Sequence, residues 1–231
     1  LVYPPVVGVM KTLWKTLGLK FDFQGQEHLP DTSHGGAVLA MNHISYLDFA
    51  LVGTAALPMK RYVRFMAKKE IFNNKFAGPL MRGMHHISVD RSNGSASLVA
   101  ALRALRDGEI IGIFPEGTIS VSFEIKELKS GAVRLAQGAG VPVIPTIIWG
   151  SQRLWTKKVK RNLMQRGVPI TVVFGEPIYF EKGSDVEAGE AILRSAMVKM
   201  LHQVQEKYPD SHQGQRWAPV RLGGTAPAPL N

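Results

Sequence analysis

Cysteine is absent from all 231 residues, which excludes structural disulfides, thiolate metal sites and a cysteine nucleophile together. Acidic side chains are in short supply: 18 Asp and Glu stand against 28 Lys and Arg, giving a formal net charge of +10 and an isoelectric point near 9.9. That balance points to an anionic partner, whether acidic lipid, nucleic acid or a phosphorylated metabolite. Long apolar runs are missing too. Leu1 to Met10 and Ala139 to Gly150 are the longest; both are interrupted by proline and fall short of the ~20 residues a spanning helix needs. No transmembrane helix is therefore expected. The chain starts at Leu1 rather than Met, which leaves room for a signal or anchor ahead of it. Also absent are a G-x-S-x-G elbow, an H-E-x-x-H pair, a Walker loop and a G-x-G-x-x-G loop, removing the simplest hydrolase, metalloprotease and nucleotide-binding readings. Gly138 and Gly140, followed by Pro142, read as a helix stop and a turn.

What is present suits one domain. With 45% hydrophobic residues the chain has material for a substantial core. Short apolar runs at 37–42, 62–67, 84–89, 110–114, 141–149 and 170–174 read as strands, with an edge strand around 21–24. Segments 49–57, 95–106, 130–137 and 186–204 have helical spacing. Such alternation implies an α/β fold, a central, mostly parallel mixed sheet flanked by helices. In residues 1–20, Val6, Val7, Val9, Met10, Leu13, Trp14 and Leu17 share a helical face between Lys11, Lys15 and Lys20. Two readings fit: an amphipathic, membrane-associating segment, or a helix packed on its own core. Residues 21–208 would then form the main domain, and 209–231, rich in Gly, Pro and Gln, an extended or disordered tail. His85 and His86 occupy adjacent positions of an expected strand, so they would point to opposite faces and could not form a two-histidine metal site by themselves.

Two constellations can carry chemistry. In Asn42-His43-Ile44-Ser45-Tyr46-Leu47-Asp48 a strand leaves and a helix begins, so His43 and Asp48 can meet across one loop. An Asp on one imidazole nitrogen fixes the tautomer and stabilises the cation formed when the other nitrogen takes a proton from an alcohol. Spacing alone leaves open a helix cap beside a loop histidine. The second constellation, Phe114-Pro115-Glu116-Gly117-Thr118, follows a strand at the edge where open α/β sheets place ligands. There Glu116 could accept from an acceptor's hydroxyls, while Thr118 and nearby amides could hold an oxyanion or phosphate; an ordinary Pro-Glu-Gly turn is the alternative. Ser45 reads as a loop or capping hydroxyl rather than a nucleophile. The basic run Lys157, Lys158, Lys160, Arg161 and Arg166 suits either anionic headgroups or solvent.

The two constellations in this order, followed by Leu128-Lys129-Ser130-Gly131-Ala132 and Val141-Pro142-Val143-Ile144-Pro145, resemble the glycerolipid acyltransferase family over roughly residues 25–180. The resemblance implies acyl transfer from acyl-CoA or an acyl carrier protein to the hydroxyl of a phosphorylated glycerol or lysolipid such as 1-acylglycerol 3-phosphate. His43 would be the general base and Asp48 its orienting partner; Arg91, Glu116, Gly117 and Thr118 would bind the glycerol phosphate, with Lys68 and Lys129 as further cations near the phosphate. No metal or cofactor is implied, and no nucleic acid is expected. A lipid product suggests a peripheral or monotopic place on an anionic membrane surface, at the cytoplasmic face. One departure stands out: the family continues E-G-T with Arg, and here Ile119 occupies that position. Either another cation, Arg82 or Arg91, supplies the charge, or the acceptor is bound differently, as with glycerol 3-phosphate acylated at an unusual position or a glycolipid.

Overall fold

The computed structural model describes residues 2–31, 35–90 and 94–229. Strand β2 (Ala37–Met41) is buried at every position because both of its faces are covered. Val38 and Ala40 enter one core together with Ala101 and Leu105 of α5 (Gly94–Arg106), Leu135 of α6 (Gly131–Ala139) and Leu193 and Met197 of α7 (Val186–Glu206). On the other face Leu39 and Met41 meet Trp14 of α1 (Tyr3–Thr16) and Leu51 and Val52 of α2 (Asp48–Ala56). A strand buried on both faces reads as an unbroken apolar run, as this one does.

Six further strands complete the sheet: β1 (Lys20–Gln24), β3 (Val63–Lys68), β4 (Ile87–Val89), β5 (Ile110–Ile113), β6 (Val143–Trp149) and β7 (Pro169–Phe174). Their order is β1-β7-β6-β2-β5-β3-β4. Every neighbouring pair is parallel except β6 and β7, the mixed, mostly parallel sheet expected of the sequence. Gly112 lets β5 lie between β2 and β3: a Cβ there would come within 2.6 Å of the Phe65 ring.

Three local expectations change. The strand foreseen from Met84 begins only at Ile87, because helix α4 (Ala77–Gly83) runs up to it and His85 turns the chain at φ +57°. Both α4 and its neighbour α3 (Lys69–Phe72) are too short for a helical period to register. The histidines consequently do not alternate along a strand. His85 is exposed, whereas His86 is buried and its Nδ1 accepts the Phe65 N–H at 3.1 Å. Helix α1 both packs and presents apolar surface: Trp14 is buried and donates to Thr54 Oγ1 (3.0 Å), while Val9 is 64% exposed. Among the described residues no helix is long and apolar enough to cross a membrane. Beyond α7, residues up to 229 fold back on the body. Arg153 lies over the Trp217 ring and bonds Tyr208 and Asp210, and Ala218 and Ala226 are buried.

Candidate active site

Because β2, β3, β4 and β5 run parallel, their carboxyl ends share one edge of the sheet. The topology therefore gathers there the His43 loop after β2, the Phe114–Thr118 loop after β5 and Lys68 at the end of β3. Arg91, expected to join them, lies outside the described residues.

The His43 loop is built around one carboxylate. Asp48 begins α2 and is fully buried. Its Oδ2 accepts the Ile44 N–H (2.8 Å), the Ser45 N–H (2.7 Å) and His43 Nδ1–H (3.0 Å), and its Oδ1 accepts the Ser151 hydroxyl (2.6 Å). An oxygen already receiving two amides is an acceptor toward the imidazole as well, so the network assigns the proton to Nδ1 and leaves Nε2 with its lone pair free to accept a proton. The imidazole stacks on Phe114, with ring centroids 4.0 Å apart and planes inclined by 24°, which restricts its rotation. Asn42 fixes where β2 ends: its side chain donates to the Ile148 carbonyl and accepts the Ile148 N–H across the ladder to β6. Ser45 is buried, donates to Trp155 O (2.7 Å) and accepts the Leu47 N–H, which leaves it a loop brace, as its position suggested.

The second loop is tied directly to the first. Ser120 N–H donates to the His43 carbonyl (2.7 Å), and the two oxygens of Glu116 accept the N–H groups of His43 (2.8 Å) and Lys126 (3.2 Å). Glu116 is thus turned inward onto backbone amides, whereas the sequence suggested contact with an acceptor's hydroxyls; a buried carboxylate needs those donors. Burial pushes its pKa up to about 7 against the pull of the same hydrogen bonds. Gly117 has φ +71°, and a Cβ would lie 3.1 Å from Lys129 Cε, so glycine here serves both the turn and the approach of Lys129. Thr118 is exposed, and its hydroxyl and carbonyl oxygens both accept from Lys126 Nζ.

Ser151 and Lys126 were not foreseen from sequence. Each acts across a tertiary contact, and neither belongs to a motif whose spacing could have marked it; Asn42 opens the first constellation, but its clamp on Ile148 was not foreseen. Among the described residues no group of three His, Asp or Glu side chains could hold a metal ion. A cleft of about 400 Å³ between β1, β7 and α7, lined in part by Lys20, Thr171, Met200 and Asp210, includes no residue of the two loops. The His43 and Glu116 loops lie instead on the carboxyl edge of the sheet. Trp155 follows there, its carbonyl accepting the Tyr46 N–H, and Arg161 lies 6.0 Å from its ring.

Together these features give an α/β fold with a histidine–carboxylate pair at the carboxyl edge of its sheet, an arrangement chemically able to take a proton from a hydroxyl. The family model described as Acyltransferase matches residues 20–149. The chain is 33% identical over 179 residues to the 1-acyl-sn-glycerol-3-phosphate acyltransferase of Bacillus subtilis (strain 168), covering 77% of this chain and 82% of that one. It is 32% identical over 187 residues to the protein of that name from Limnanthes alba, covering 77% and 60%. Its fold matches the crystal structure of the 1-acyl-sn-glycerophosphate (LPA) acyltransferase PlsC from Thermotoga maritima with a TM-score of 0.71, at 20% identity, over 89% of this chain and 82% of that one. The chain belongs to the Acyltransferase family and is an O-acyltransferase.

Proposed function

We propose that this enzyme transfers a fatty acyl group from acyl-CoA or an acyl carrier protein to the free hydroxyl of 1-acylglycerol 3-phosphate, forming phosphatidate for phospholipid biosynthesis. The observation that carries this reading is the His43–Asp48 pair at the carboxyl edge of the sheet, in a chain whose similar proteins carry that activity in their names. Nε2 of His43 removes the acceptor's proton as its oxygen attacks the thioester carbonyl. The tetrahedral intermediate collapses with expulsion of the thiolate, which takes the proton back from the imidazolium. Asp48 holds the ring and stabilises its charge in between. No covalent enzyme intermediate, metal or cofactor is needed. Lys129, beside Gly117, and Lys68 supply positive charge for the phosphate, with Arg91 assigned the same part by its place in the sequence.

The product is a lipid, so the enzyme works at an anionic membrane surface, on its cytoplasmic face in this reading. The apolar outer strip of α1 and the basic run from Lys157 are the parts chemically suited to touch it. Ile119 favours a second reading, acylation of another hydroxyl such as that of a glycolipid. Thiol release from palmitoyl-CoA, with the lipid product identified by mass, separates the two. Phosphatidate formation, reduced about 10²-fold or more in His43→Ala, is expected; a product without phosphate, or unchanged turnover in the variant, would refute the assignment.

A further inference from the structure

Ile119 is buried, so the position where the family places its arginine cannot present any polar group to a ligand. Lys126 reaches the neighbouring Thr118 from eight residues further along the chain. Its Nζ lies 2.8 Å from the Thr118 carbonyl oxygen and 2.6 Å from Thr118 Oγ1. The backbone behind it is held from two sides. Glu116 accepts the Lys126 N–H through one oxygen and the His43 N–H through the other, and Arg194 of α7 donates to the carbonyls of Lys126 and Ile125. One carboxylate therefore bridges the ammonium-bearing segment to the catalytic base. Of the two arginines the sequence offered as substitutes, Arg82 donates to the Phe72 carbonyl at the junction of α3 and α4 (2.7 Å), and Arg91 lies outside the described residues.

Lys126 is not an isolated charge. Partial burial lowers its pKa, Glu116 opposes that, and Lys157 and Lys129 are near enough to lower it further. Lys129 lies against Gly117, and Lys157 opens the basic run one residue after Thr156, whose hydroxyl donates to the Ile44 carbonyl in the His43 loop. Lys126 at Thr118 and Lys129 at Gly117 thus meet on one turn, with Lys157 close enough to act on the charge of Lys126, while the Glu116 carboxylate is spent on backbone amides. Such a cluster gains most from a doubly charged oxyanion.

We propose that Lys126, supported by Lys129 and Lys157, binds the phosphomonoester of the acceptor and supplies the charge that Ile119 lacks. The identity of that acceptor rests on the function proposed above; the anion site does not. Two measurements separate them. Calorimetric titration of the 231-residue chain with glycerol 3-phosphate should show binding that weakens about 10- to 100-fold in Lys126→Gln, recovers in Lys126→Arg and weakens less in the exposed Lys157→Gln. In turnover, Lys126→Gln should raise KM for 1-acylglycerol 3-phosphate by a similar factor and leave kcat within about threefold.

Binding in the wild type and its loss in the variant, without turnover of any glycerol phosphate, would uphold the site and sink the acceptor assignment. Failure of the wild type to bind glycerol 3-phosphate, or equal binding by wild type and folded Lys126→Gln, would overturn the proposal. Should Lys126→Gln fail to fold, unchanged binding in Lys157→Gln and Lys129→Gln would overturn it as well. A fall in kcat with KM unchanged would mark Lys126 as a structural brace and also refute it.

Discussion

Asp48→Asn isolates the charge of the orienting carboxylate with little disturbance of shape. In the wild type Oδ2 gathers three N–H groups and Oδ1 receives the Ser151 hydroxyl. An asparagine placed with its oxygen toward the N–H groups keeps those bonds, and its NH₂ meets Ser151 Oγ, which can turn from donor to acceptor. The fold should survive at a cost of about 1–3 kcal/mol, the difference between charged and neutral hydrogen bonds at a buried site. In the proposed mechanism, the imidazolium formed during proton transfer fares worse. Unit charges ~4 Å apart attract by about 4 kcal/mol at an effective dielectric constant of ~20, and about 1.4 kcal/mol is a factor of ten in rate. The expected fall in kcat is therefore about 10³-fold. Asp48 is fully buried and does not meet the acceptor, so KM should stay within about threefold. A thiol-reactive dye following CoA release reads this without background, because the enzyme has no cysteine of its own. Ser45→Ala is the control: it removes the hydroxyl that braces Trp155 and Leu47 and should lower stability while leaving kcat within a few-fold. A folded Asp48→Asn enzyme turning over within tenfold of wild type would refute the role given to the pair.

His86 should make the enzyme acid-labile. Burial holds its pKa down at about 4 from 6.5, and its Nδ1 must stay unprotonated to accept the Phe65 N–H; the unfolded chain binds the proton first, so the stability present above about pH 6.5 falls by about 3 kcal/mol toward pH 4. Urea unfolding at both ends of that window should show the loss shrinking in His86→Gln; an identical loss would remove His86 as its source. Trp14→Ala should cost about 3–5 kcal/mol, since Trp14 is 2% exposed and bonded to Thr54; a melting temperature like that of wild type would show that α1 contributes no packing. Glu116→Gln sets an NH₂ against the N–H of either His43 or Lys126, so it should lose about 1–3 kcal/mol of stability and lower kcat by displacing the His43 loop. Full activity with full stability in that variant would show that the bridge between the loops is dispensable.

The patterning of apolar residues was enough to place most strands and the long helices, because strands buried on two faces and helices buried on one leave different periods in the chain. The H-x4-D and F-P-E-G-T segments stood out for a related reason: each gathers its polar residues within a short stretch. Other features were settled only by tertiary contact. Glu116 looked like a ligand for substrate until its burial between the His43 and Lys126 amides showed what holds the two loops together. His86 looked like one of two alternating strand residues until α4 and the left-handed turn at His85 displaced the start of β4. Ser151 reaches Asp48 from 103 residues away, and Lys126 reaches Thr118 by a loop that no motif describes. A sequence records what each residue can donate, accept or bury; which groups meet is decided when the parallel strands bring their ends to one edge, and that choice is a property of the whole sheet.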